Sequence, residues 1–462
     1  MSESVPDPAG AIAARLDRLP PSWAAWRIVV LLSLGGCFEF YDLLMTGYIS
    51  PGLTRAGIFR ADGGLFGLSD QAAFTAANFL GLWIGTLAFA WVADRFGRRA
   101  IFTGSLLWYS AATAVMACQS SAFGVDLWRL IAGIGLGVEM ITIDTYVVEF
   151  TPKAIRGRAF AVSQSIQFCA VPIVAFMCWW LLPLQPLGIE GWRWVMLAGA
   201  AGAIFIWWIR RGVPESPRWL ARHGRFAEAD AVVAAIEARA VAETGKALAE
   251  PVPVALDGAG RGSFSEILRP PYRKRTILLA VFNAFQAIGF YGFGNWVPNL
   301  LAAQGAGVMK SQLYAFAIAL AYPVGPLICS LFADRFERKW QIVAAAIGTA
   351  TLGLLFATQS APVALIALGV GITLSNNLLS YSYHAYQAEL FPTRIRARAV
   401  GFVYSFSRLS TVFTSFMIAF FLRDFGTVGV FAFIAFAMGM VVLSIGLFGP
   451  PTGKRSLEEI SR

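Results

Sequence analysis

Apolar residues run along the chain in twelve stretches of helix length, broken by short polar segments and one long one. Their approximate limits are 27–49, 71–93, 99–119, 124–148, 159–181, 191–210, 276–301, 312–333, 340–359, 362–387, 397–422 and 426–448. About 20 apolar residues let an α-helix cross a hydrocarbon core of roughly 30 Å. The pattern predicts an all-α membrane protein of twelve transmembrane helices, split six and six by the polar gap at 211–275. The expected organisation is a cytoplasmic N-terminal segment (1–26), a six-helix bundle (27–210), a cytoplasmic linker with short helices (211–275), a second six-helix bundle (276–448) and a cytoplasmic tail (449–462). Within the linker, the stretch from Arg225 to Ala242 is helix-like.

Two acids, Glu39 and Asp42, interrupt the first apolar run, in Phe38-Glu39-Phe40-Tyr41-Asp42. Carboxylates at such depth are costly and normally face a partner or a water-filled path. Three residues apart, the two share one helix face. If the first span enters from the cytoplasm near Arg27, Asp42 lies about 22 Å deep, and Arg129, on the oppositely directed fourth span, roughly 23 Å from the same edge. The matching depths predict an Asp42–Arg129 pair, either permanent and structural or one that opens to let the acid take a proton. Glu139 and Asp144 add two more acids to the fourth span, with no orientation that assigns them a role.

Composition narrows the class. The chain is 57% hydrophobic and 14% charged, with a mean hydropathy of +0.63, which excludes a soluble protein of 462 residues. The net charge of +10 is then a matter of cytoplasmic loops, not of nucleic acid. Loops after the second, fourth, eighth and tenth spans carry twelve Arg and Lys residues, against five (Arg55, Arg60, Arg193, Lys310, Arg423) in the opposite loops. This bias predicts both termini in the cytoplasm. The N-terminal segment has no apolar core, so no cleaved signal peptide is expected. Cys37, Cys118, Cys169, Cys178 and Cys329 are scattered, without metal-ligand or disulfide spacing. No nucleophile–base or phosphate-loop motif occurs in the linker, so neither an enzyme nor a bound cofactor or metal is expected.

An internal repeat recurs at a shift of 240. Ala93-Asp94-Arg95-Phe96-x-Arg98-Arg99 returns as Ala333-Asp334-Arg335-Phe336-x-Arg338-Lys339, and the Tyr146, Glu149, Pro152, Arg156, Arg158 series as Tyr386, Glu389, Pro392, Arg396, Arg398. Two six-span halves in the same topology place a solute site between them near the midplane. The recurring charges predict cytoplasmic gating pairs between the halves: Asp94 with Arg156 or Arg158, Glu149 with Arg98, and Asp334, Glu389 and Arg396 in the second copy. Anchoring of the loops at an anionic leaflet is the alternative.

Two polar stripes mark a cavity in the second half. Asn377, Ser380, Tyr381 and His384 follow one face of the tenth span, and Tyr404, Ser407, Arg408, Thr411 and Ser415 one face of the eleventh. Arg408 lies about 15 Å into its span. Its planar fork suits a carboxylate from protein or solute, and spans seven to twelve offer no acid away from their cytoplasmic ends.

Asp94-Arg95-Phe96-Gly97-Arg98-Arg99 resembles the signature loop of the major facilitator superfamily. Arg129-x-x-x-Gly133-x-Gly135-x-Gly137, Tyr146 to Gln164, Pro214-Glu215-Ser216-Pro217-Arg218-Trp219-Leu220 and Gly453 to Glu459 resemble its sugar porters and related metabolite:proton symporters. The resemblance implies alternating access, with Asp42 and Arg129 in the proton-coupling pair and Glu39 at an acid of the metabolite symporters. It also implies a hydroxyl-reading role for Gln164 and Gln286, whose surroundings depart from the sugar pattern at Phe285, Tyr291, Asn295-Trp296 and His384. The Ala14 to Pro20 stretch is similar to bacterial carriers of organic or aromatic acids.

Together these features predict a proton-coupled symporter of a small organic acid, aromatic acids included, acting as a monomer in the inner membrane. Asp42, Glu39 and Arg129 are the expected coupling residues. Arg408, Gln164, Gln286, Asn295, Trp296, Asn377, Tyr381, His384 and Tyr404 are the expected solute contacts, and Arg95, Gly97, Arg99 and Arg335 belong to the gating set. A neutral sugar or polyol symporter and a solute receptor on a transporter fold are the alternatives.

Overall fold

The structure, a computed structural model, describes residues 8–152, 155–202, 204–205, 212–245, 247–251, 264–332 and 335–452. The first half comprises spans Trp23–Arg55, Asp70–Phe96, Arg98–Met116, Ala122–Phe150, Gly157–Leu181 and a sixth described over Gly191–Ala200. Spans seven to ten of the second half are Arg273–Gly294, continued by Val297–Ala303, then Val308–Leu331, Arg338–Ala357 and Pro362–Glu389. The last two lie in one helical run, Thr393–Leu443, that bends at Gly426.

Three spans expected to be single helices are broken, and a proline explains each break. The fifth parts at Cys169, the seventh at Asn295-Trp296 and the eighth at Leu320, each three residues or fewer before Pro172, Pro298 and Pro323. A proline ring removes one backbone donor and crowds the carbonyl four residues earlier. The breaks free backbone carbonyls for partners from other spans, and Pro323 O accepts from Ser165 Oγ at 2.6 Å.

Glycines bring the second and fourth spans into backbone contact. A Cβ on Gly133 would lie 2.5 Å from Asn78 O, and one on Gly137 2.3 Å from Leu82 O. This close approach accounts for the glycine series that follows Arg129, and it is the small-residue packing that helices use in lipid.

At the end of the bundle that carries the repeated charges, Gly97 takes φ 94° between spans two and three. Its lack of a side chain admits the Glu215 carboxylate, which accepts from the backbone N of Arg98 at 3.0 Å and of Arg99 at 3.3 Å. An acid at a helix N-terminus satisfies orphaned donors and opposes the helix dipole. Ser216 likewise caps the short helix Pro217–Arg222, accepting from Trp219 N at 3.2 Å. Tyr146 O–H donates to Pro214 O, and its repeat-mate Tyr386 donates to Pro450 O at 2.8 Å. The two-fold repeat thus reaches past the sixth and twelfth spans. In the second copy Glu337, at the place of Gly97, accepts from Thr452 N at 3.0 Å.

The linker helix Phe226–Thr244 matches the helical stretch expected there. The N-terminal segment, by contrast, is not merely polar: Pro8–Asp17 is a helix whose Ile12 and Leu16 are buried with Val233, Ile236 and Ala240 of the linker helix. Around this apolar seam, Glu237 receives Arg15 Nη2 and Arg18 Nη2, both at 2.7 Å, and Asp17 receives Arg218 Nη2 at 2.9 Å.

Two expectations follow. Gly97→Ala forces a side chain into positive φ and against Glu215, and lowers unfolding stability in detergent by about 1–2 kcal/mol. Gly104→Ala, whose Cβ meets nothing within 4 Å, leaves the melting temperature unchanged or higher. Burial raises the Glu237 carboxyl, but the hydrogen bonds from Arg15 and Arg18 outweigh it and hold the group below its ordinary value. A depressed acid stabilises docking above its unfolded value, about pH 4.3, and that contribution is lost as pH falls. Amide protection over 8–19, taken relative to the intrinsic exchange rate at each pH, is expected to fall on acidification in the native chain, and to be low at all pH values in Glu237→Gln.

Candidate functional site

Asp42 and Arg129 meet in the middle of the first half. Arg129 Nη1 lies 2.7 Å from Asp42 Oδ2, with the two side chains 0% and 1% exposed. Arg129 Nη2 also donates to the Asp42 carbonyl at 2.7 Å, and Thr113 Oγ1 donates to Asp42 Oδ1 at 2.8 Å. The Arg129 guanidinium stands 5.9 Å from the Phe74 ring centre. Every Asp42 oxygen thus has a donor, which a charge pair removed from water requires. Sequence reading missed Thr113 because a lone threonine in an apolar span carries no signal of its own.

Glu39, one turn away, is buried, and its carboxylate interacts electrostatically with Tyr291 of span seven, which Arg408 of span eleven also engages. Arg408 is 2% exposed. Its Nη1 donates to Tyr291 O, its Nη2 to Tyr404 O at 3.0 Å, and its guanidinium lies 4.9 Å from the Tyr404 ring centre. Phe79 of span two packs edge-on against Tyr291 at 4.7 Å. His384, an expected solute contact, belongs to this cluster: it stacks on Tyr383 at 4.2 Å and lies 5.6 Å from Tyr404. Its Nδ1 is 2.7 Å from Ser380 O. Tyr383 was not legible, since it stands off the polar stripe of its span.

The remaining expected solute contacts divide. Gln286 is buried on span seven, whereas Gln164 on span five and Tyr381 on span ten are half-buried. The Tyr381 ring faces Phe160 of the first half at 6.4 Å. Asn377 Nδ2 donates to Tyr322 O at 3.3 Å, bracing the break in span eight. Asn295 and Trp296 occupy the break in span seven at its outer end, away from Arg408. There the Asn295 carbonyl accepts from Gln71 Nε2 at 3.3 Å. This belongs to an outer closure in which Asn299 Nδ2 donates to Gln71 Oε1 and Gln312 Nε2 to Tyr48 O at 3.0 Å. Above it opens a cleft of about 470 Å³ lined by Arg55, Arg60, Trp296 and Arg423.

Among the described residues the expected Arg98–Glu149 pair forms, inside the first half, and its counterpart in the second copy forms inside the second half. Arg98 Nη2 lies 3.5 Å from Glu149 Oε1, and Arg338 Nε 2.8 Å from Glu389 Oε1. Arg396 Nε donates to Phe391 O at 3.1 Å, and Arg95, Arg158 and Arg335 are exposed. The repeat puts both members of each pair on one rigid bundle, because span three and the end of span four of one half are neighbours. The side chains of Asp94, Asp144, Arg156 and Asp334 lie outside the described residues, as does the 453–459 motif.

Twelve helices in two pseudo-symmetric halves, with a buried polar centre between them, define a membrane carrier and not an enzyme. Residues 28–462 match the model of the sugar (and other) transporter family, and the chain belongs to that family. It is 28% identical over 465 residues to the inner membrane metabolite transport protein YdjE of Escherichia coli, covering 97% of this chain and 98% of that one. It is 26% identical over 456 residues to the niacin transporter NiaP of Acinetobacter baylyi, covering 97% and 99%. The fold superposes on the xylose transporter XylE of E. coli, in a partially occluded inward-open conformation, with a TM-score of 0.75 at 19% identity over 94% of this chain and 100% of that one. The protein is thus a multi-pass secondary transporter of the cell membrane.

The pair geometry predicts a signed pattern of stabilities. Arg129→Met leaves a buried carboxylate alone and costs about 3–5 kcal/mol, and Thr113→Val costs about 1.5–3 kcal/mol. The double change Asp42→Asn, Arg129→Met is expected to be less destabilised than Arg129→Met alone, read by thermal unfolding in detergent.

Proposed function

We propose that this chain is a proton-coupled symporter of a small organic acid, working by alternating access of its two halves. The observation that carries this is Arg408, buried at the meeting of the halves and presented by the hydroxyls of Tyr291 and Tyr404. Those hydroxyls are neutral and orient the guanidinium at the meeting of the halves, where an anion entering between them would meet its planar fork. The rings of Phe79, Tyr291, Tyr383, Tyr404 and His384 around it suit a flat, apolar body attached to the carboxylate. The name of the niacin transporter relative supports the same class, since niacin is an aromatic acid.

In this reading Asp42 takes a proton when Arg129 moves off it, because an isolated buried acid favours its neutral form. Glu39 couples that half to Arg408 through Tyr291. Gln286, Gln164 and Tyr381 line the path, and the arginines of the outer cleft draw anions in. Both termini lie in the cytoplasm, as the Arg and Lys bias of the loops supports. One chain carries the whole site and acts as a monomer with solute, proton and bilayer as its partners.

A neutral sugar is the second reading, favoured by the hydrogen bonds that already occupy Arg408. Proteoliposomes under an imposed pH gradient, offered labelled nicotinate, benzoate and xylose, separate the two. Accumulation of an acid, lost by tenfold or so in Arg408→Ala as a charge-assisted bond of about 1.5–3 kcal/mol implies, is expected. Xylose accumulation untouched by Arg408→Ala overturns the acid. Asp42→Asn is expected to abolish accumulation and spare exchange; accumulation equal to the native chain removes Asp42 from the cycle.

A further inference from the structure

A second buried acid stands in the first half, apart from the Asp42–Arg129 pair. Glu139 on span four is 0% exposed. Its Oε2 has one long contact with Ser105 Oγ, at 3.4 Å. That hydroxyl has a single hydrogen and lies closer, at 2.7 Å, to the Ile101 carbonyl. Glu139 Oε1 has no hydrogen-bond partner among the described residues. The charged group that acts on Glu139 is another acid, Glu39 of span one.

An independent feature points into the same place. The hydroxyl of Tyr109, on span three, is fully buried and has no hydrogen-bond partner among the described residues. The groups acting on it are Glu139, Glu39, Asp42 and Cys37. Asp42 is engaged by Arg129 and Thr113, and Cys37 is a thiol beside span five. The orphaned donor therefore lies within electrostatic reach of two buried carboxyl groups, which also repel one another.

Two such carboxylates in a low-dielectric interior cannot both remain ionised. An ionised Glu139 also lacks a good donor here, whereas a protonated carboxyl supplies its own hydrogen. One proton on the pair removes the repulsion.

We propose that Glu139 is a proton-carrying residue of the transport cycle, sharing one exchangeable proton with Glu39 beside Tyr109. The proton comes from water on one side and leaves to water on the other, and the pair changes only between one bound proton and none. Because Glu39 also interacts electrostatically with Tyr291, which accepts a hydrogen bond from Arg408, the charge of the pair is felt at the anchor for the solute. This rests on the proton-coupled reading above.

The test does not need the solute. Infrared difference spectra of the chain in lipid nanodiscs, taken as pH is raised from about 6 to about 9, read protonated carboxyl groups directly. The native chain is expected to show a carboxyl C=O band that fades with rising pH, Glu139→Gln to lose it, and Glu139→Asp to keep it at a shifted frequency. Glu39→Gln, which leaves Glu139 without its acidic neighbour, is expected to move the titration to higher or lower pH. A band that survives in Glu139→Gln, a native chain without one, or a Glu39→Gln titration identical to the native one overturns the proposal. Should Glu139→Gln fail to fold, Glu139→Asp and Glu39→Gln carry the test. In proteoliposomes, loss of gradient-driven accumulation with exchange retained is the matching result for Glu139→Gln. A native chain that accumulates neither nicotinate, benzoate nor xylose sinks the proton-coupled reading instead, and the infrared result stands apart from it.

Discussion

The first half is built around a charge pair that has no water. Asp42 and Arg129 are each buried almost completely, and a lone member of such a pair is strongly unfavourable in a membrane interior. The constraint reaches outward: span three must bring Thr113 to the second carboxylate oxygen, and span four must lie close enough for the guanidinium to fork across both side chain and carbonyl of Asp42. Glycines 133 and 137 allow span four to rest directly on span two, where Phe74 completes the shell of the guanidinium. Spans one to four are thus fixed relative to one another by a few polar contacts that cannot be exchanged for solvent.

The second half meets the same difficulty differently. Arg408 sits between tyrosine hydroxyls and aromatic faces, with Glu39 of the first half interacting electrostatically with Tyr291 of the same cluster. The halves repeat one another closely at the ends that carry the repeated charges, where Arg98–Glu149 is mirrored by Arg338–Glu389 and Tyr146–Pro214 by Tyr386–Pro450. They diverge at the centre. Symmetry is kept where the bundles must hold their shape, and given up at the buried polar centre.

The outer closure uses amides: Gln71, Asn299 and Gln312 donate to oxygens of the opposite half. Neutral hydrogen bonds exchange with water at a small net difference, on the order of 1 kcal/mol each, so such a closure can open without stranding charge. The repeated ion pairs, each within one half, stay intact during rigid rocking of one half against the other, the motion expected of repeat-built carriers.

The number of spans, their division into two repeats and the face shared by Glu39 and Asp42 were legible in the chain itself, because hydropathy and helical period are local properties. Depth alone matched Asp42 to Arg129, since rise per residue fixes height in a bilayer. Height does not fix azimuth. Which side of span four Glu139 faces, that His384 lies beside Tyr404, and that Tyr383, Thr113 and Tyr109 join the polar centre all depend on how the helices rotate against one another. Rotation is set by packing, by glycine contacts and by proline breaks acting together, and these exist only once the spans are assembled.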